Sequence, residues 1–132
     1  MMYLDSNVFI YASLSLGETG ERARDLLRSV EIGNVEAASS TLSFDEIVWA
    51  VKKYRTMDQA IAAGDAFINM PRLSLVSVDE AVIRSAVDLM RRYEFDPRDS
   101  IHAASAIQCR AEALISRDPH FDRLKELPRK LL

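Results

Sequence analysis

Four acidic residues stand out because of where they fall along the chain. Asp5 and Asp118 come at or just after short apolar runs, whereas Glu46 and Asp99 lie near the beginning of segments with helical apolar spacing. If the fold gathers these positions at one edge of a sheet, their carboxylates form a pocket for a hard divalent cation. Mg²⁺ is the natural occupant, and the chemistry would be metal-ion catalysis.

Each of these acids also has a purely structural explanation. The segment Asp96–Asp99 fits an Asp N-cap with Pro at N1 and an acid at N3, which is a capping box. The segment Ser43–Glu46 fits a second capping box, although the apolar spacing also allows that helix to begin earlier. Asp118 before Pro119 fits another N-cap. Asp5 is harder to explain in this way, because an acid directly after a buried strand needs a partner or a metal ion.

Short apolar runs alternate with longer segments of helical periodicity along the chain. They predict strands at residues 2–4, 35–39, 73–78, 113–116 and, as a short last strand, 130–132. Strands that alternate with helices favour an α/β fold with right-handed crossovers and a mostly parallel sheet. Ligands of such sheets bind beyond the carboxyl ends of the strands, so this architecture would bring the four acids together.

Composition limits the class of protein. A chain of 132 residues with 48% hydrophobic content predicts a single domain over residues 1–132. Cys109 is the only cysteine, no export signal opens the chain because Asp5 interrupts the first apolar run, and no apolar stretch approaches the roughly 20 residues that span a bilayer. We therefore expect a cytoplasmic protein without a membrane segment. The net charge of −3 means that a polyanionic substrate would need a local basic patch or bound metal.

The motifs around the acids resemble a known family. The segment Leu4–Ile10 resembles the opening of PIN-domain ribonucleases, in which an Asp closes the first strand and a polar residue follows two positions later. Glu46 fits the glutamate of the family's helix, the segment Asp99–Ala104 its third acid, and the segment Ser116–Phe121 its last acidic motif. The match runs nearly from end to end. Its size and spacing are most similar to VapC-type toxins of toxin–antitoxin pairs.

This resemblance implies a fold and an activity. The fold would be a three-layer PIN-like α/β structure with a central, mostly parallel sheet of four to five strands flanked by helices. The activity would be a metal-dependent endoribonuclease that hydrolyses RNA phosphodiester bonds, as the toxin of a type II toxin–antitoxin pair. Asp5, Asp99 and Asp118 would be direct or water-mediated ligands of Mg²⁺ or Mn²⁺. Glu46 would complete the pocket and orient water.

Further residues and partners follow from the same resemblance. The residues expected to support the carboxylates, or to contribute through water, are Ser6, Asn7, Ser116 and Asp122. The expected partners are an RNA substrate, a small antitoxin protein and a second copy of the chain. The apolar stripe of residues 23–30 and the helix of residues 56–70 offer surface for a homodimer. His102 and His120 are interpreted as a packed residue and a loop residue, since no cysteine cluster suggests zinc.

Other classes of protein stay open at this stage. A haloacid-dehalogenase-type phosphoryl-transfer enzyme also places an Asp after its first strand, but it needs a second Asp where this chain has Asn7. A phosphate-accepting receiver domain needs a Lys after a late strand, where this chain has Arg117. The non-enzyme alternative is a degenerate, non-catalytic PIN-like module that binds RNA or protein. Four intact carboxylates argue against it, because an unused cluster would repel itself.

Overall fold

Five short strands alternate with six α-helices in the computed structural model, which describes residues 1–132. The first half of the chain contains β1 (Met2–Leu4), α1 (Ser6–Leu14), α2 (Glu18–Glu31), β2 (Ala37–Ser40), α3 (Leu42–Tyr54) and α4 (Met57–Ile68). The second half contains β3 (Leu73–Val76), α5 (Glu80–Tyr93), α6 (Pro97–Gln108), β4 (Ala113–Ile115), a 3-10 helix (Pro119–Arg123) and β5 (Arg129–Lys130). The predicted α/β class is confirmed.

The strands form one sheet in the order β3-β2-β1-β4-β5, and every pair of neighbours is parallel. β1 lies at the centre, where Tyr3 is in register with Ala38 of β2 on one side and Leu114 of β4 on the other. The strand order therefore reverses beside β1. In open parallel sheets, the crevice beyond the carboxyl ends of the strands at such a reversal is the usual ligand site.

Helices cover both faces of the sheet, which gives the predicted three layers. Successive side chains of a strand point to opposite faces. Leu4 and Ile115 belong to the hydrophobic cluster that includes residues of α1 to α4, whereas Tyr3 and Leu114 belong to the cluster that includes residues of α5 and α6. Because both faces are buried, β1 and β4 consist of apolar or aromatic residues, and β2 combines two alanines with the buried serines Ser39 and Ser40.

Several element boundaries differ from the prediction. The last strand is Arg129–Lys130, so Leu131 and Leu132 lie beyond it, and the third strand ends at Val76. In α3 the expected capping box is absent, because the helix already begins at Leu42 and the Thr41 side chain makes no cap hydrogen bond.

The stripe in α2 that was expected to offer a dimer surface is instead part of the core. Ala23, Leu27 and Val30 are buried in the same cluster as α1. In α4, Ile61 and Ile68 are exposed, so this helix does present apolar surface. No helix has both the length and the apolar character needed to cross a membrane.

Candidate active site

Asp5 lies at the carboxyl end of β1 and caps the amino end of α1. Its backbone N–H donates to the Ile115 carbonyl at 3.1 Å, which fixes its position relative to β4. Only 6% of the residue is exposed. Oδ1 accepts from the Ser6 N–H at 2.8 Å, and Oδ2 accepts from the Ser116 hydroxyl at 2.7 Å. Burial raises the pKa of Asp5, and the neighbouring His102 and the Ser116 hydrogen bond only partly offset this effect.

The hydroxyl of Ser116, directly after β4, connects three parts of the site. It donates to Asp5, accepts from Asn7 Nδ2 at 3.0 Å and accepts from the Asp118 backbone N–H at 2.9 Å. The residue is fully buried. This hydrogen bonding holds the Asp5 carboxylate and the Asp118 backbone in a fixed relation.

Glu46 lies in the second turn of α3, the helix that follows β2. Its side chain reaches the same edge of the sheet as Asp5, and this edge, which carries Asp5, Glu46, Asp99 and Asp118, is called the rim. Its Oε1 is in close contact with His102 Nε2, which is also 3.7 Å from Asp5 Oδ1. Both carboxylates therefore face one imidazole nitrogen. Burial lowers the pKa of His102, but the hydrogen bond to Glu46 and the nearby carboxylates outweigh it, so the pKa is raised overall.

Asp99 and Asp118 lie close to each other at another part of the rim. Asp99 is the third residue of α6, and Asp118 stands at the N-cap of the 3-10 helix, where Oδ1 accepts from the His120 N–H at 2.9 Å. Ligand atoms of Asp99, Asp118 and His120 all lie within 4.8 Å of one another. Burial raises the pKa of Asp99 to about 6, and the charges of Asp118 and Asp5 add to this increase.

The expected capping box at the start of α6 is not formed. Asp96 occupies the N-cap position, but its side chain makes no cap hydrogen bond. It instead lines a crevice of about 510 Å³ together with Glu46, Pro97, Arg98 and Asp99. Arg98 is largely exposed and lies 3.7 Å from the Asp45 carboxylate, so a cation is available at the mouth of the crevice.

The Asp122 carboxylate forms an ion pair with Arg129. Its two oxygens accept from Arg129 Nε at 2.9 Å and Nη2 at 3.1 Å, and the hydrogen bond to Arg129 lowers the pKa of Asp122. Arg129 also donates to the Ser116 carbonyl at 3.0 Å. Through this ion pair with Arg129, Asp122 supports the backbone of the Ser116 segment, and its contribution to the metal site through water stays a prediction.

The donors of the rim fit a hard divalent cation. Carboxylate and amide oxygens are the ligands that Mg²⁺ and Mn²⁺ prefer. The rim offers the four carboxylates, and Asn7 Oδ1 is buried there without a hydrogen-bond partner. A buried oxygen without a donor is costly unless a cation or water satisfies it. The imidazole of His120 adds a nitrogen donor, which Mn²⁺ accepts more readily than Mg²⁺ does.

The sequence interpretation missed both histidines. The sequence predicts that His102 is packed, and it is buried, but it also contacts Glu46 and lies close to Asp5. The available signal is its place three residues after Asp99, on the same helix face. The sequence predicts a loop position for His120, but this residue belongs to the 3-10 helix and faces Asp118, with Nδ1 at 3.0 Å from Oδ1.

The family assignment follows from comparison with known proteins. The PIN domain family model matches residues 2–127, so the chain belongs to the PIN domain family. Comparison with curated protein sequences gave no significant match.

Solved structures agree with this fold over almost the whole chain. VapBC2 from Rickettsia felis, bound to a promoter DNA fragment, matches with a TM-score of 0.76 and 21% identity, covering 99% of this chain and 98% of that one. The sarcin–ricin loop cleaving toxin VapC20 from Mycobacterium tuberculosis matches with a TM-score of 0.79 and 12% identity, covering 95% of each chain. DNA-bound VapBC from Salmonella typhimurium matches with a TM-score of 0.71 and 18% identity, covering 98% of this chain and 96% of that one.

Proposed function

We propose that this chain is a metal-dependent endoribonuclease and the toxin of a type II toxin–antitoxin pair, acting as a single domain over residues 1–132. The observation that carries the proposal is the convergence of Asp5, Glu46, Asp99 and Asp118 at the carboxyl ends of β1 and β4. The chain belongs to the PIN domain family, and its resemblance to PIN-domain ribonucleases implies that such a rim is a nuclease site. The structural neighbours include an RNA-loop cleaving toxin and several toxin–antitoxin complexes, which supports the same class.

The residues of the site have different proposed roles. Asp5, Asp99 and Asp118 would hold Mg²⁺ or Mn²⁺, and Glu46 would complete the pocket and orient water. When bound, the ion supplies a more acidic water and offsets the charge that builds up on the phosphate. Asn7 and Ser116 hold the Asp5 side of the pocket through their hydrogen bonds, and Ser6 holds it through its backbone N–H.

RNA is the substrate that we propose for this crevice. The chain has a net charge of −3, so attraction of a polyanion must be local. Arg98 at the mouth of the crevice and Arg117, next to Asp118, are the cations placed to contact phosphate. Exposed Trp49 lies one helical turn beyond Glu46, on the same face of α3, where it can stack on an unpaired base.

The proposed protein partners are a small antitoxin and a second copy of the chain. The neighbours from Rickettsia felis, Klebsiella pneumoniae and Salmonella typhimurium are complexes of a toxin with its antitoxin. An antitoxin that placed an Arg or Lys among the four carboxylates would replace the charge of the metal ion. Among the apolar side chains of the early helices, Trp49 is exposed and available to such a partner, whereas Phe9 and Leu27 are buried in the core and Leu26 is packed against it.

Cleavage by the purified chain tests the enzyme. Incubation of single-stranded RNA with Mg²⁺ or Mn²⁺ should give fragments, and the chelator EDTA should prevent this. Asp5→Asn should abolish cleavage, whereas Asp65→Asn, which changes an exposed acid on α4, should retain it. Metal-independent cleavage, or equal activity of Asp5→Asn and wild type, would contradict the site.

Growth experiments test the toxin assignment separately. Expression of the chain alone should slow growth, and co-expression with the product of the adjacent small gene should restore it and yield a co-purified complex. Equal growth in both cases, with no co-purified partner, would refute the toxin role and leave the nuclease intact.

A further inference from the structure

A buried tyrosine and a buried histidine lie directly behind one of the four rim carboxylates. His102 is 1% exposed and Tyr3 is fully buried, in spite of their polar groups. Tyr3 Oη is 2.6 Å from His102 Nδ1, and His102 Nε2 contacts Glu46 Oε1. The two rings meet edge to face, with centroids 5.9 Å apart. Hydrogen bonds therefore connect Tyr3 of the central strand β1, through His102 of α6, to Glu46 at the mouth of the site.

The chemistry of these groups fixes the direction of the bond to Glu46. An ionised carboxylate only accepts hydrogen bonds, so His102 Nε2 must carry the hydrogen that it shares with Glu46. In the neutral imidazole, Nδ1 is then the acceptor and the Tyr3 hydroxyl donates to it. In the imidazolium, Nδ1 donates to the Tyr3 oxygen. The donor that faces Glu46 is the same in both states.

Glu46 depends on this donor more than Asp5 depends on any one of its own donors. Asp5 is held by the Ser6 N–H and by the Ser116 hydroxyl. Glu46 accepts a hydrogen bond only from His102, and its Oε2 has no partner in the protein. Its side chain is 20% exposed and rotates about three bonds, so without His102 no hydrogen bond would hold its carboxylate in one orientation.

We propose that His102 and Tyr3 are positioning residues that hold Glu46 Oε1, so that Oε2 is presented to the divalent cation. This inference rests on the proposed function, because it concerns the same metal site. Groups that orient ligand side chains commonly change metal affinity by about 10- to 100-fold when they are removed.

Two amide substitutions of different length separate this role from core packing. In His102→Gln the amide nitrogen is as many bonds from Cγ as Nε2 of histidine, so a donor to Glu46 is retained. In His102→Asn the amide reaches only the position of Nδ1, so that donor is lost. Mn²⁺ binding, measured by isothermal titration calorimetry, should weaken about 10- to 100-fold in His102→Asn and less than about threefold in His102→Gln.

Two further variants control for the effects of folding. Tyr3→Phe keeps the ring and removes only the hydroxyl, and it should weaken Mn²⁺ binding about threefold or more even if His102→Asn fails to fold. Val82→Ala creates a cavity in the same hydrophobic cluster without contacting Glu46, so it should lower the melting temperature and leave Mn²⁺ affinity unchanged.

The outcomes distinguish the inference from the proposed function. Wild-type protein that binds no Mn²⁺ would overturn both. Wild-type protein that binds Mn²⁺, together with undiminished binding by folded His102→Asn or by Tyr3→Phe, would overturn the positioning role alone. An equal loss of affinity in Val82→Ala would overturn it as well, because the effect would then report core stability. Loss in His102→Asn with retention in His102→Gln supports it.

Discussion

Replacing Asp99 by Asn should stabilise the metal-free protein while abolishing cleavage. Burial, with the charges of Asp118 and Asp5, raises the pKa of Asp99 from 3.8 to about 6. The folded state therefore binds the proton of Asp99 more tightly than the unfolded state does. Ionisation of Asp99 costs stability as the pH rises from about 4 to about 6, and the full cost is present at neutral pH. Asn carries no charge and avoids this cost.

The size of the stability gain in Asp99→Asn follows from the difference between the pKa values of Asp99 in the folded and unfolded states. A carboxyl group with a pKa of about 6 in the folded state and 3.8 in the unfolded state corresponds to at most about 3 kcal/mol. Asp99 is only half-buried, so solvent screening reduces this ceiling, and about 1 kcal/mol is a realistic gain. For a domain of this size, that is about 4 °C in melting temperature.

Urea denaturation in EDTA at pH 7.5 and at pH 4 measures this directly. Asp99→Asn should gain about 1 kcal/mol at pH 7.5 and only a fraction of that at pH 4, where Asp99 is almost fully protonated in the folded state and only partly ionised in the unfolded state. Asp65→Asn serves as the exposed control and should change stability little at either pH. The same Asp99→Asn protein should cleave RNA at least about 100-fold more slowly with saturating Mn²⁺. A gain that is equal at both pH values, or normal cleavage, would refute the reasoning.

Three other predictions concern metal binding, the hydrogen bond from Ser116 to Asp5, and the packing of α3 against α4. Mn²⁺ at ten times its dissociation constant should stabilise the wild-type protein by about 1.4 kcal/mol, and an unchanged melting curve by differential scanning fluorimetry would contradict the metal site. Ser116→Ala removes the hydroxyl donor to buried Asp5 and should cost about 2 kcal/mol or more in urea denaturation; full stability would show that this bond contributes little. Gly64→Ala would place a Cβ 2.6 Å from the Phe44 ring and 2.8 Å from a Val48 methyl, so it should destabilise by about 1 kcal/mol or more in spite of the better helix propensity of Ala. A more stable Gly64→Ala protein would mean that α3 and α4 separate easily.

Much of the fold could be predicted because its signals are local. The alternation of apolar runs with helical periodicity indicated an α/β chain, and acids at Asp5 and Asp118 marked the ends of two strands that proved to be neighbours. Strand ends were less certain, since hydrogen bonding to a neighbour decides where a strand stops. β5 ends at Lys130, although two apolar residues follow it.

The capping signals show how local chemistry can mislead. Asp96 and Ser43 both have the residue types of a capping box, yet neither caps its helix in the predicted way. The sequence likewise gives no sign that Arg129 forms hydrogen bonds with both oxygens of Asp122, because the fold brings these residues together. The Ser43 hydroxyl instead shares a hydrogen bond with the Ser39 hydroxyl of β2, and Asp122 pairs with Arg129 of β5, so contacts made by the fold decided these two outcomes.

The sequence by itself determined which acids follow strands or begin helices, and hence that a parallel sheet could collect them, because strand and helix periodicity are properties of neighbouring residues. Only the tertiary structure decided how those acids are held. The contacts of Ser116 with Asp5 and of His102 with Glu46 join residues 111 and 56 positions apart. No local pattern encodes such contacts, because they depend on the order of strands in the sheet and on the packing of α3 beside α6.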